Sequence, residues 1–184
     1  PYPHGQQVGC GFPTVRLGGL VDLSHGGMCE FACNDMNTSE LTNHNELEKH
    51  LKKGDLFIGD RLYSSYELIV RLLGKGVHFA GRTHQARKID FRKGKKISPN
   101  ERLVIWYKPS RQPKGSQLSE EAWAALPDQL QIRLIRCKGP DREGKQKTRY
   151  LATTLLDPVA YPADEVASLY FCLLYTSDAA DEWL

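Results

Sequence analysis

The first third of the chain alternates between strand-like and helix-like spacing of apolar residues. Two runs, 14–23 and 27–36, have the composition of strands, and the glycines of the SHGG link between them favour a hairpin turn. The segment 38–55 then predicts a helix with a serine or threonine cap at its start and Gly54 as its stop. A hairpin followed by a helix is therefore expected here.

A strand, a helix and a second strand are predicted next. The apolar run 55–60 is bounded by turn residues, which indicates a buried strand. Residues 64–76 predict a helix with a serine cap and terminal glycines, and 77–83 predict the following strand. Such a βαβ unit implies parallel pairing with a right-handed crossover. We expect 55–60 to be a central strand flanked by helices, with Asp60 at its carboxyl end.

After residue 84 the pattern changes to strand-like segments separated by turns rich in proline and glycine. The predicted strands are 88–97, 102–109, 130–138 and 148–156. A short helix over 119–126 interrupts them, and a capped helix over 161–170 follows, with Pro162 near its first position. The order is therefore an α/β block, a β-rich block and a helix.

Length and composition narrow the class of protein without giving its function. The 184 residues suit one domain with an insertion, and 40% hydrophobic with 26% charged residues is ordinary for a globular protein. Five scattered cysteines do not indicate a secreted disulfide framework. No apolar run approaches the roughly 18 residues of a membrane span, and the start is not a signal peptide. We expect a cytoplasmic protein without a membrane partner, and a piece of a longer chain.

Asp60 is the first residue whose position suggests chemistry. A carboxylate at the carboxyl end of a buried strand, beside a βα crevice, is well placed to hold a metal or a substrate. The alternative is an ordinary structural role, as a helix cap or as the ion-pair partner of Arg61.

The positive charge of the chain is concentrated in one segment. The net charge is only +3, yet between Arg82 and Lys114 eleven cations accompany two acids, Asp90 and Glu101, with aromatic residues interleaved. This pattern indicates a phosphate-binding surface for nucleic acid, and the alternative is a solvated face of a β-ribbon. The candidate DNA-binding residues are Arg82, Arg87, Lys88, Arg92, Lys93, Lys95 and Lys96.

Two further kinds of site find weaker support. Cys29 and Cys33 have a spacing found in structural zinc sites, and His25 and His44 could add ligands. However, strand alternation places both cysteines on one face with Phe31, which favours buried free cysteines. A Cys–His nucleophile pair has no support, because nothing links a particular cysteine to a particular histidine.

Four longer segments resemble a known family. They are GCGFPTVRL, GDRLYSSYELI, RTHQARKIDFRKGKK and TTLLDPVAYPADEVASLY. Together they resemble the DDE transposases of bacterial insertion sequences, in particular the insertion-sequence-four family, over nearly all of Tyr2 to Tyr170. The resemblance implies an α/β fold with a ribonuclease-H-like (retroviral-integrase-like) core and a β-rich insertion. It also implies three acids that bind two Mg²⁺ or Mn²⁺ ions for attack on a phosphodiester.

The resemblance assigns the three acids differently. The second acid lies in a stretch that matches GDRLYSSY and maps onto Asp60, with Leu62 where members commonly carry a small residue. The first lies upstream of the given residues, and Asp22 does not match its place. The third belongs to a helix signature, Y-x₂-R-x₃-E-x₆-K, that starts at Tyr170. Its later positions fall on Leu173, Ser177 and Leu184.

The resemblance therefore predicts a fragment that lacks the first core strand and the last core helix. The predicted divisions are 1–83 as part of the core (the equivalents of strands 2 to 5), 84–155 as the β-rich insertion, 156–170 as the start of the last helix, and 171–184 as a tail that resembles a translated sequencing adapter. The implied partners are double-stranded DNA at insertion-sequence ends and a second copy in a homodimer, in the bacterial cytoplasm. This fragment is expected to be catalytically incomplete. A non-catalytic nucleic-acid-binding module and a nuclease of the same fold remain alternatives.

Overall fold

The computed structural model describes residues 15–35, 38–116, 118–140 and 145–181. The chain divides into two compact units, 1–51 and 52–184. In the first unit, β1 (Val15–Asp22) pairs antiparallel with β2 (Gly27–Asp35), which confirms the predicted hairpin, and α1 (Glu40–Leu47) packs on it.

The helix predicted over 38–55 is shorter than expected. It ends at Leu47 and continues only as a single 3₁₀ turn, Glu48–His50. Asp55 instead closes a local turn, because its carboxylate accepts a hydrogen bond from the amide of Lys52 at 2.7 Å. Gly54 therefore lies in this turn, with a φ of 95°, and not at a helix terminus.

Among the described residues, the second unit holds one six-stranded mixed sheet with helices packed on it. Its elements are β3 (Leu56–Gly59), α2 (Tyr66–Gly74), β4 (His78–Arg82), β5 (Lys95–Ser98), β6 (Glu101–Tyr107), α3 (Glu120–Ala124), β7 (Gln129–Pro140), β8 (Gln146–Thr153) and α4 (Ala163–Asp181). The strand order is β3-β4-β8-β7-β6-β5. The β3–β4 pair is parallel, as the βαβ pattern predicted, and the other pairs are antiparallel.

Strand β3 lies at an edge of the described sheet, so the prediction of a central strand is wrong. Both of its faces are nevertheless packed. Leu56 and Ile58 contact the buried cluster that includes α4, and Phe57 packs against Tyr63 and Phe79. An apolar run reports that the faces of a strand are buried and carries no information on the number of strands beside it.

The strand predicted over 88–97 is mostly absent. Only Lys95–Ser98 forms a strand, and the residues before it form turns. Asp90 holds these turns, because its carboxylate accepts hydrogen bonds from the amide and the guanidinium of Arg92. Gly94, with a φ of 82°, then directs the chain into β5.

The core around α4 connects the βαβ unit to the β-rich block. Its buried members are Ala80, Ile135, Leu151, Leu155, Val166, Ala167 and Tyr170. Strand β8 pairs with β4, so the strands of the predicted insertion belong to the same sheet as β3 and β4. The backbone of α4 continues to Asp181, into the segment predicted as a tail, and the predicted divisions of the chain stay predictions. None of the helices in the described ranges is long and apolar enough to cross a membrane.

Candidate active site and nucleic-acid interface

Asp60 follows β3 directly and precedes a 3₁₀ turn, Arg61–Tyr63. Its backbone is extended, and its side chain makes no capping hydrogen bond to the turn. The guanidinium of Arg61 donates from Nη1 to Oε1 of Gln85 at 3.2 Å. In the described part of the chain, Asp60 therefore neither caps the helical turn with its side chain nor forms an ion pair with Arg61.

Tyr170 of α4 is the hydrogen-bond partner of Asp60. Its phenol donates to Oδ1 at 3.2 Å, and the two residues are 110 positions apart in the sequence. Tyr170 is fully buried, and Asp60 is half-buried. Burial first, and then the neighbouring Asp60 carboxylate, raise the pKa of Tyr170 well above its usual value, against the opposing charge of Arg82. The phenol therefore remains protonated and continues to donate at neutral pH.

Two glycines shape the sheet beside this pair. Gly59 and Gly81 lie opposite each other at the carboxyl ends of β3 and β4, immediately before Asp60 and Arg82. A Cβ atom on Gly81 would lie 2.3 Å from the carbonyl oxygen of Gly59 and 2.7 Å from the ring of Phe79. No side chain fits there without moving backbone, so glycine permits the close packing that supports Asp60.

The donor chemistry of Asp60 fits a hard divalent cation in part. Carboxylate oxygen is the ligand that Mg²⁺ prefers, and Oδ2 has no protein partner in the described part of the chain. The described residues contain no group of three or more His, Cys, Asp or Glu that could hold a metal. Asp60 is thus a candidate for one ligand of the set that the resemblance implies.

Of the residues considered for zinc, His25 is engaged by neighbouring side chains and the two cysteines are exposed. The ring of His25 contacts Asp22 at 3.0 Å, and hydrogen bonds from Ser24 and His25 lower the pKa of Asp22 to about 2. Cys29 and Cys33 are free, but the expectation that they are buried is wrong, because the face of β2 that carries them is exposed.

The segment 84–94 is held against the sheet by its aromatic residue. The ring of Phe91 lies 5.4 Å from the guanidinium of Arg102 and 5.3 Å from that of Arg136, and it packs against Tyr150. Arg102 also donates from Nε to the carbonyl of Phe91 at 2.7 Å. Some of the cations in the basic segment therefore hold the segment in place.

The candidate DNA-binding cations differ in how they are engaged. Arg92 forks onto Asp90 at 3.0 and 3.1 Å, and this interaction lowers the pKa of Asp90 to about 2. The guanidinium of Arg87 lies 3.7 Å from the centroid of Trp106, and Arg82 is half-buried beside the Asp60 site. Four lysines are exposed, and their ammonium groups make no hydrogen bond or close ion pair with the described residues. They are Lys88, Lys93, Lys95 and Lys96.

Sequence reasoning missed a buried arginine that binds the main chain of the segment leading into α4. Arg133 is fully buried and pairs with Glu101. It also donates from Nη1 to the carbonyls of Leu155 and Tyr161, at 3.3 and 2.7 Å. A charged residue inside the apolar run 130–138 was the available signal, because a buried charge requires partners.

A second arginine performs a similar role at the other end of β7. Arg149 donates from Nη1 to the carbonyl of Gly139 at 2.8 Å and lies 5.5 Å from the ring of Phe171. That ring packs on Gly139, where a Cβ atom would lie only 2.2 Å from it. These contacts fix the part of α4 that carries Tyr170.

A family model described as a transposase DDE domain matches residues 1–171. The matched span includes Asp60, the basic segment and Tyr170. No curated protein and no solved structure matches the chain.

Proposed function

The chain belongs to the transposase DDE domain family, and from this premise we propose that Asp60 is a metal-binding catalytic carboxylate of a ribonuclease-H-like core. The family implies a transposase with DNA as its substrate. The finer proposal is an enzyme of the insertion-sequence-four type, which cleaves phosphodiesters and transfers strands at insertion-sequence ends. In this proposal the intact enzyme is a homodimer of the bacterial cytoplasm.

The hydrogen bond between Asp60 and Tyr170 is the observation that supports this proposal. The resemblance assigns Asp60 to the second acid and Tyr170 to the start of the helix signature that carries the third. These assignments concern segments 110 residues apart, and in the fold the two side chains lie 3.2 Å from each other. A shared site explains this proximity better than two unrelated structural roles.

Each group at the site has a proposed role. A divalent cation on Asp60 would activate the attacking oxygen and stabilise the phosphate in the transition state. Tyr170 orients the carboxylate by occupying Oδ1, and Arg82 adds positive charge at the same end of the sheet. The four exposed lysines attract the DNA backbone. These lysines also keep open the alternative of a nucleic-acid-binding module without catalysis.

We propose that this 184-residue polypeptide is catalytically incomplete. The signature positions that follow Tyr170 are Leu173 and Ser177, where the family has arginine and glutamate. Phosphoryl transfer depends on positioning and charge stabilisation, so a lost carboxylate ligand should remove most of the rate. We expect no metal-dependent cleavage of supercoiled DNA. Cleavage that disappears in Asp60→Ala would contradict this proposal.

The metal role of Asp60 is testable by paramagnetic NMR. Mn²⁺ should broaden the amide signals of residues 59–63 and 81–83 in the unmodified protein, and Asp60→Asn should abolish that broadening. Asp164→Asn serves as the control, because Asp164 is an exposed acid at the start of α4. Broadening of the same signals that persists in Asp60→Asn would show that the metal role is wrong.

A further inference from the structure

Arg87 is held in place from both its main chain and its side chain. Its amide donates to the carbonyl of His84 at 2.9 Å, in a turn where the amide of Ala86 donates to Nδ1 of His84 at 3.2 Å. Its guanidinium lies 3.7 Å from the centroid of the Trp106 ring. Trp106 is itself only 5% exposed and lies opposite Leu130 in the sheet, so the surface beneath the guanidinium is rigid.

The donors of this guanidinium are not used within the described part of the protein. Arg87 has no hydrogen-bond acceptor and no acidic partner there. Two other arginines of the segment differ, because Arg92 forks onto Asp90 and Arg102 donates to the carbonyls of Phe91, Ser98 and Glu101. Arg87 is also half-buried, and this burial lowers its pKa. A partly desolvated cation with unused donors is prepared to receive an anion.

The environment of Arg87 favours a phosphate. Lys88 follows it in the sequence, and the ammonium groups of Lys93, Lys95 and Lys96 in the same segment are exposed. A guanidinium held over an indole presents its N–H groups in a planar fork, which matches two oxygens of a phosphate. A lysine ammonium is a point charge on a flexible stem and lacks this geometry.

We propose that Arg87, fixed by Trp106, is the ordered phosphate-binding residue of the basic segment, and that it binds one backbone phosphate of DNA. The exposed lysines of the same segment add positive charge without a fixed geometry. This inference rests on the proposed DNA function and deepens it, because it separates one geometric contact from a general electrostatic attraction.

The test keeps the positive charge at position 87 and removes the planar guanidinium fork. Arg87→Lys should weaken binding to a short duplex about fivefold, the effect of losing a bidentate, stacked contact. The dependence of affinity on salt should stay the same, because the number of cations is unchanged. Arg71→Lys is the matched control, since Arg71 lies in α2 and pairs with Glu67 at 3.7 Å. The control should bind as the unmodified protein does, and equal affinity of Arg87→Lys would overturn the proposal.

A second measurement separates this inference from the proposed function. The Nε–H signal of Arg87 in ¹H–¹⁵N spectra should move when inorganic phosphate is added to the unmodified protein, and it should move more than the signal of Arg71. If the protein does not bind duplex DNA, the DNA function fails, and this titration still decides whether Arg87 binds phosphate. An Arg87 signal that does not respond to phosphate would overturn the inference.

Discussion

At the scale of single residues, the buried phenol of Tyr170 makes stability sensitive to high pH. Burial and the Asp60 carboxylate raise its folded-state pKa, whereas tyrosine in an unfolded chain titrates near pH ~10. As the pH rises, the unfolded state therefore loses this proton first. The stabilising contribution is complete below the unfolded pKa and is lost as the pH rises toward the folded pKa.

Tyr170→Phe should reduce this alkaline loss of stability. In the unmodified protein the free energy of unfolding should fall above about pH 10, by up to roughly 1.4 kcal/mol per pH unit for this one group. Tyr66, whose pKa is also raised by burial, leaves a residual slope in the variant. Urea unfolding between about pH 8 and 11 measures the effect. Tyr107→Phe is the control, because Tyr107 is 68% exposed, and identical slopes in all three proteins would contradict the prediction.

Gly81→Ala should destabilise the second unit strongly. The new Cβ atom would meet the main chain of Gly59, which cannot yield without separating β3 from β4. We expect a loss of about 1 to 3 kcal/mol or more in the free energy of unfolding, measured by urea titration. Gly74→Ala at the end of α2 is the control, because no atom lies within 4 Å of its Cβ position. A neutral Gly81→Ala would show that this close approach is not required.

The sequence predicted where Asp60 lies but not which cations are engaged. Asp60 could be placed because strand and turn residues fix their own boundaries locally. The contacts of Arg87 with Trp106 and of Arg102 with Phe91 depend on strands paired across the sheet. Sequence spacing reports nothing of these contacts, so lysines and arginines looked equivalent until the fold was known.

At the scale of elements, local sequence patterns predicted whether each element is a helix or a strand. Pairing between distant strands determined where each element begins and ends. The hairpin, α2 with its Ser65 cap, and the parallel β3–β4 pair follow from alternation and capping residues. The edge position of β3 does not, because it depends on which strands pair with it. The segment before β5 had strand composition, but the Asp90 turn overrode that propensity.

Helix α4 offers a direct test of the third acid. Position 177 lies seven residues beyond Tyr170 in the same helix, which is about two turns and therefore on the same side. If position 177 carries the third acid, Ser177→Glu should tighten Mn²⁺ binding roughly tenfold, since affinity follows the number of charged ligands. Ala179→Glu is the matched control, because position 179 falls on the opposite side of α4.

The readout for these two variants is Mn²⁺ broadening at Asp60. If both variants bind Mn²⁺ equally, the position of the added carboxylate does not affect the affinity. The assignment of the third acid to position 177 is then wrong. Tighter binding in Ser177→Glu alone would support the assignment. Adding Asp60→Asn to Ser177→Glu should return the affinity to a low value, because the two carboxylates are expected to share one ion.

At the scale of the whole molecule, the βαβ unit and the β-rich block share one sheet. The sequence predicted them as separate blocks because helix-like segments give way to strand-like segments near residue 84. Strand β8 crosses this division, since its Thr153 lies opposite Ala80 of β4 and its Tyr150 packs on Phe91. The sheet thus links the end that carries Asp60 to the basic segment. Pairing between strands so distant in sequence leaves no local signal.

The final prediction concerns the distribution of charge over the whole chain. Replacing Lys88, Lys93, Lys95 and Lys96 by alanine changes the formal net charge from +3 to −1. The same change of net charge results from replacing four exposed lysines elsewhere, Lys49, Lys52, Lys53 and Lys138.

If DNA binds the basic segment, the first variant should lose up to about 0.9 from the log–log salt slope for each lysine that contacts a phosphate. The second variant should keep nearly the full slope, because charges outside the segment are expected to act only through the long-range field, which salt screens over about 10 Å. Fluorescence anisotropy of a labelled duplex across a salt series measures both slopes. Equal losses in the two variants would mean that DNA responds to net charge alone and that the segment is only a solvated face.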